Sequence, residues 1–245
     1  MSFIQSKKSF LSSGLLVGMT DIHCHLLPGV DDGVRSYQEA VAVLRWMRSI
    51  GIKNLYLTPH VMSDFPKNTS AFLAEQFDRL VQQLEKEEVK DLPALRLGAE
   101  YMLEGDCILR KAEGHLTFAG NHLLIETSYL TPPMGFFRLL ADLIERGFSL
   151  VLAHPERYAY METGDYEVLK KINIKFQLNY LAMAGIYGST VKEKALFLLK
   201  EGFYDFVGSD LHHLAFHQTS IAIEKFTPKQ TALLRPLFHN NHHLW

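Results

Sequence analysis

From Thr20 onward, short runs of β-branched and apolar residues alternate with longer segments whose apolar positions recur at helical spacing. The short runs TDIHCH (20–25), KNLYLTP (53–59), ALRLGAEY (94–101), HLLIETS (122–128), FSLVLAH (148–154), KFQLNY (175–180) and YDFVGSD (204–210) predict strands. Between them SYQEAVAVLRWMRSIG (36–51) predicts a helix opened by a Ser36/Glu39 capping box and closed by Gly51. Further helices are predicted over 69–88, 134–147, 165–172, 190–202 and 227–238, with a weaker one over EGDCILRKAEG (104–114). Repeated strand-then-helix units call for a parallel sheet, doubly wound or closed as a barrel. No G-x-G-x-x-G or Walker-type loop follows the first run, which removes the best support for a nucleotide-binding doubly wound sheet and favours a barrel.

The 245 residues are 47 % hydrophobic and 21 % charged, the balance of a globular chain able to bury a sizeable core. Residues 1–19 read as an N-terminal extension and 20–245 as one domain. A net charge of -2 gives no basic stripe for nucleic acid or an anionic membrane. Two cysteines, Cys24 and Cys107, cannot make a disulfide framework and fit a reducing cytoplasm. The apolar stretch after Lys7 and Lys8 is broken by Ser12, Ser13 and Gly14, so it is not read as a secretory signal. No apolar run reaches the roughly 20 residues of a bilayer span.

The chemistry lies where the strands end. Reading each predicted strand to its C-terminal end gives His23 and His25, His60, Glu100, Glu126, His154, Asn179, and finally Asp210 with His212. In a parallel barrel these ends share one rim, where active sites are assembled. His23 and His25 are two apart, so a strand points both the same way and Cys24 the other. A single His or Glu at a strand end is ordinarily a hydrogen-bonded or solvated residue; one at nearly every end is a ligand pattern. The nitrogen and oxygen mixture suits zinc, manganese or iron better than magnesium or calcium. The set is larger than one ion needs, so two or three divalent ions are expected, the arrangement used for in-line attack of a metal-held hydroxide on a phosphoester. A cysteine phosphatase would need an arginine six residues after its nucleophile, but Val30 follows Cys24 and Glu113 follows Cys107 at that spacing. Arg157, just past His154, is the candidate phosphate clamp, the alternative being an ion pair with Glu156 or Glu162. His239, His242 and His243 lie beyond the last helix and are left out of the site.

The blocks DIHCHLLPGVDDG, TPH, GAEY, LLIETS, LAHPERY and GSDLHH, in this order, resemble the bacterial protein-tyrosine phosphatases of the CpsB/YwqE type within the polymerase and histidinol phosphatase (PHP) superfamily. The resemblance implies a distorted (β/α)7 TIM-like barrel, a cytoplasmic enzyme, and removal of phosphate from phosphotyrosine on a tyrosine kinase tail in capsule or exopolysaccharide synthesis. It also implies a first metal on His23, His25, Glu100 and Asp210, a second on Glu100, Glu126 and His154, and a third on Asp32, His60 and His212. Manganese is the implied ion, with iron or zinc as alternatives. The resemblance alone selects Asp32 over Asp31. Arg157 and His60 are the candidate catalytic residues, His60 as an acid for the leaving phenolate. After Asp210 this chain reads SDLHHLAFHQTS, with His213, His217 and Gln218 where such proteins often carry an arginine, so a second phosphate clamp would need a histidine as partial substitute, the alternative being a shifted substrate preference. Two other readings remain: a phosphoesterase for a small phosphomonoester, and a weakly catalytic metal-binding regulatory or scaffold protein.

Overall fold

The computed structural model describes residues 7–104, 108, 114–223 and 225–245. Most of the weak helix expected over 104–114 lies outside them. The strands are β1 (Thr20–Asp21), β2 (Asn54–Leu57), β3 (His60–Val61), β4 (Ala94–Leu97), β5 (Glu100–Met102), β6 (His122–Glu126), β7 (Ser149–Ala153), β8 (Lys175–Asn179) and β9 (Phe206–Gly208). All pairings between them are parallel, in the orders β1-β2-β4 and β3-β5-β6-β7-β8-β9. The two sheets are one wall. Pro59 has no N–H to continue the β2 ladder, so the chain kinks and resumes as β3. Its neighbour kinks beside it at Gly98, whose N–H reaches Leu57 O at 2.8 Å. Closure comes from a parallel bridge between Cys24 and Leu211, where Asp210 N donates to His23 O (2.8 Å) and His25 N to Leu211 O (3.0 Å). The seven predicted runs thus form the distorted seven-stranded barrel.

The helices are α1 (Phe10–Ser13), α2 (Tyr37–Ser49), α3 (Ser70–Lys86), α4 (Phe136–Glu145), α5 (Thr163–Lys171), α6 (Ser189–Lys200), α7 (Leu214–Ile223) and α8 (Pro228–Asn240). Only half of the expected box at Ser36 forms: Ser36 Oγ accepts from Glu39 N, while the Glu39 carboxylate accepts from Arg35 N. The sequence pattern missed α7, LAFHQTSIAI, because its apolar residues do not gather on one stripe. Successive strand residues face opposite ways. Leu123, Ile125, Leu150, Leu152, Phe176 and Leu178 pack outward beneath the helices, and Ile22, Tyr56, Leu124, Val151 and Ala153 fill the barrel with Leu244. Residues 7–19 join the outer core through Phe10, whose ring lies 5.0 Å from Tyr180 and 4.5 Å from Phe226. The C-terminal segment crosses the opposite end of the barrel from the polar strand ends. Asn241 there accepts from Val207 N and donates to Thr20 O and Val207 O. No described helix is long and apolar enough to cross a membrane.

Candidate metal centre

The nine polar residues singled out at the strand ends meet at one rim. His23 and His25 bring their Nε2 atoms within 3.2 Å of each other. Their other ring nitrogens are committed: His23 Nδ1 lies 2.8 Å from Gln177 Oε1 and His25 Nδ1 2.9 Å from Asp31 Oδ2. An amide oxygen and a carboxylate only accept, so both Nδ1 atoms carry a proton and both Nε2 lone pairs face inward. Glu100 Oε2 and Asp210 Oδ1 face the same point, at 3.1 and 3.4 Å from His23 Nε2 and at 3.4 and 3.3 Å from His25 Nε2. A tetrahedron with edges of this length has its centre roughly 2.0 Å from each corner, the length of a metal–nitrogen or metal–oxygen bond.

Two further groups adjoin the first. His25, Asp32, His60 and His212 form one, with Asp32 Oδ1 3.5 Å from His60 Nε2 and 3.4 Å from His212 Nε2. His60, Glu100 and Glu126 form the other, with His60 Nδ1 2.9 Å from Glu126 Oε1 and 3.2 Å from Glu100 Oε2. His154 Nε2 is 3.0 Å from Glu100 Oε1, which puts Glu100 at the middle of the assembly. The carried-over grouping set His154 beside Glu126; here His60 is the imidazole against Glu126. His60 Nδ1, Glu100 Oε2, Glu126 Oε1 and His154 Nδ1 are buried without a hydrogen-bond partner. Buried polar atoms are nearly always satisfied, and the three that meet, His60 Nδ1, Glu100 Oε2 and Glu126 Oε1, fit the donor set of a divalent cation.

The electrostatics agree. Burial pulls the His23 imidazole down, but the Glu100 and Asp210 carboxylates outweigh it and push it up to about 9. Burial raises Glu100 and Asp210, yet the surrounding imidazoles hold both well below the carboxylate range. The carboxylates therefore demand positive charge at this spot, and any cation binding there displaces protons. Burial, with the Arg157 charge, keeps His154 below its ordinary value and so neutral.

The backbone is shaped for this convergence. His154 (φ 34°) and Asp210 (φ 50°) are non-glycine residues in the left-handed region, a cost that clusters at functional sites. A Cβ on Gly33 would lie 2.0 Å from His25 O, and one on Gly208 2.7 Å from His23 Cβ. Only glycine lets these loops press against the histidine pair.

Arg157 stands at the edge of the cluster. Its Nη1 donates to Asp210 Oδ2 at 2.8 Å, and its guanidinium lies between the rings of Tyr129 (4.3 Å) and Tyr187 (4.6 Å). It does not pair with Glu156, which is buried and accepts from Asn179 N and Tyr204 OH. Asn179 Nδ2 donates to Asp210 Oδ2 and to Tyr187 OH, both at 3.0 Å, so it bonds a cluster carboxylate and one of the rings beside Arg157. Of the histidines after Asp210, His217 turns inward: its Nε2 meets Tyr180 OH at 2.7 Å, its ring is edge-on to Trp46, and burial lowers it to about 3. It remains neutral and supplies no cationic clamp. Cys24 points to the outer core, its Sγ donating to Tyr56 O, and burial raises its thiol well above the ordinary value.

Sequence reasoning passed over Asp31, Gln177, Tyr129 and Tyr187. Asp31 orients His25 and also accepts from Gly33 N and His60 N. Gln177 was findable, because it sits two residues before Asn179 on β8 and so faces the same way. The two tyrosines lie in loops, which carry no periodic signal.

A family model for capsular polysaccharide synthesis, CpsB/CapC, matches residues 19–224. The tyrosine-protein phosphatase YwqE of Bacillus subtilis is 31 % identical over 202 residues, covering 80 % of this chain and 78 % of that one. The tyrosine-protein phosphatase CpsB of Streptococcus pneumoniae is 29 % identical over 205 residues, covering 80 % and 84 %. A solved chain from the crystal structures of those two proteins, described as unique metal-dependent tyrosine phosphatases, superposes with a TM-score of 0.78 at 27 % identity, covering 92 % of this chain and 94 % of that chain. With that rim on that barrel, and a match over most of its length, the chain belongs to the CpsB/CapC family.

Proposed function

We propose that this chain is a metal-dependent protein-tyrosine phosphatase whose ligands are His23, His25, Asp32, His60, Glu100, Glu126, His154, Asp210 and His212. The observation that carries the reading is the set of buried imidazole nitrogens and carboxylate oxygens, several without a hydrogen-bond partner, that converge beside the Arg157 guanidinium. Two or three divalent ions, manganese foremost with iron or zinc as alternatives, are the cofactors this donor set supports. When bound, such ions activate water for in-line attack and offset charge on the phosphoryl oxygens. The protein's own part is positional. Gln177 and Asp31 hold the histidine pair in the required tautomer, and Arg157, steadied by two rings, presents its remaining N–H groups to a phosphate. His60 has both nitrogens against carboxylates, which supports its place in the ligand set beside the acid role expected of it. A phenolate, with a parent pKa near ~10, leaves with only modest acid help.

The proposed partner is a phosphotyrosine protein, namely the tail of a bacterial tyrosine kinase of capsule or exopolysaccharide synthesis, and the proposed place is the cytoplasm. The family match to capsule synthesis supports the first and the buried free thiol of Cys24 the second. The test compares phosphate release from a phosphotyrosine peptide with release from histidinol phosphate and a nucleotide, using chelated protein with and without restored manganese. Manganese-dependent release favouring the peptide is expected. Release confined to the small phosphomonoesters would overturn the reading.

A further inference from the structure

Beside the metal cluster lies a cleft of about 280 Å³. Its size sits at the low end of the ~300–1,000 Å³ typical of small-molecule sites, room for one side chain rather than a nucleotide. Its lining mixes charged groups of the rim, Asp32, Arg157 and His212, with the side chains of Leu181, Tyr187 and Phe216. Leu181 is part of the buried core, whereas Phe216 is 52 % exposed. Single exposed phenylalanines are common and need no explanation; what marks this one is that it lines the same cleft as Arg157 and the cluster residues Asp32 and His212. It is also held there. Phe216 belongs to α7, and the next residue, His217, locks that helix inward through Tyr180 OH and the edge of Trp46. One guanidinium and a metal cluster grip any phosphomonoester alike, so charge alone cannot separate an aryl from an alkyl phosphate. An aromatic side chain lining the same cleft can.

We propose that Phe216 is a specificity-determining residue that packs against the aromatic ring of the substrate's leaving group and so selects aryl over alkyl phosphomonoesters at this rim. The inference rests on the phosphatase reading and names the substrate class of the same site. Phe216 is not among the proposed metal ligands, and its exposure makes truncation harmless to the core.

Two readouts test it. Competitive binding of phenylphosphonate and methylphosphonate is measured for the manganese-loaded wild type, Phe216→Ala and Phe216→Leu, alongside KM and kcat for phosphotyrosine and phosphoserine peptides of one sequence. Ring contacts of this kind correspond to about 3- to 10-fold in affinity. Phe216→Ala is expected to weaken phenylphosphonate by that factor and methylphosphonate by less than about twofold, and to raise KM for phosphotyrosine more than it lowers kcat, as loss of uniform binding requires. Phe216→Leu should fall between. Equal weakening of both phosphonates, or no change in either, would overturn the inference even if phosphotyrosine is hydrolysed. A protein that hydrolyses neither peptide, yet prefers phenylphosphonate and loses that preference in Phe216→Ala, would sink the phosphatase reading and leave the ring contact standing.

Discussion

The two ends of the barrel are built from the same strands and follow opposite rules. At the N-terminal end, Leu244 and Trp245 close the interior beside Tyr56, and the polar groups there are paired: Tyr56 OH donates to Leu244 O, Arg96 donates to Tyr56 OH and stacks 4.2 Å over Trp245, and Asn241 makes three backbone bonds. At the C-terminal rim the interior columns change character within two residues, from Leu124 to Glu126 on β6 and from Ala153 to His154 after β7. There His60 Nδ1, Glu100 Oε2 and Glu126 Oε1 are buried without a hydrogen-bond partner, and His154 and Asp210 hold a left-handed backbone. One end spends its contacts on stability, the other holds groups in a state that only a ligand satisfies.

The contrast breaks most sharply if a rim ligand proves dispensable. His23→Ala or Glu100→Gln should drop phosphate release by roughly 100-fold or more through lost metal, while far-ultraviolet circular dichroism stays that of the wild type; full turnover with full metal content would remove the residue from the ligand set. At the other end, Leu244→Ala opens a cavity in the barrel and should cost about 3 kcal/mol, or several degrees in Tm, without changing metal bound per folded chain. An unchanged Tm would mean that the tail is not a structural plug.

Glu156 sharpens the picture between the ends. Burial raises its carboxyl to about 7, although hydrogen bonds from Tyr204 and Asn179 oppose this. A carboxyl raised in the folded state gives stability that is full below its unfolded value of 4.5 and is lost as pH rises through about 7. Stability should therefore fall by on the order of 2 kcal/mol between about pH 5 and 7 from this group, and Glu156→Gln should flatten that slope in denaturant titrations. An identical slope would show the carboxyl ionises freely. Gln177→Leu leaves every proposed ligand in place but frees His23 Nδ1, and should weaken metal binding by roughly tenfold. Unchanged affinity in a competitive chelator titration would reduce Gln177 to packing.

Much of this was legible in the sequence because it follows from period and position. Strand ends can be read from where alternation stops, and parallel strands in a barrel must end together, so His23, His60, Glu100, Glu126, His154 and Asp210 could be gathered before any coordinate. Kinks were less visible: KNLYLTP and ALRLGAEY read as single strands, and only the pairing shows that β2 stops before Pro59 and resumes beyond it as β3, beside a break at Gly98. Asp31 and Asp32 are indistinguishable by chemistry and adjacent in sequence. Their different places, Asp31 behind His25 and Asp32 before His60 and His212, depend on a loop path set by Gly33. His217 misled for a related reason: a histidine in a polar run looked available, whereas α7 turns it into the core.

The most direct test of the central claim is to titrate chelator-stripped protein with manganese while following both bound metal, by elemental analysis, and phosphate release from a phosphotyrosine peptide. Two or three ions per chain should bind, with release rising as they fill. Full occupancy without release, or undiminished release from metal-free protein, would contradict it.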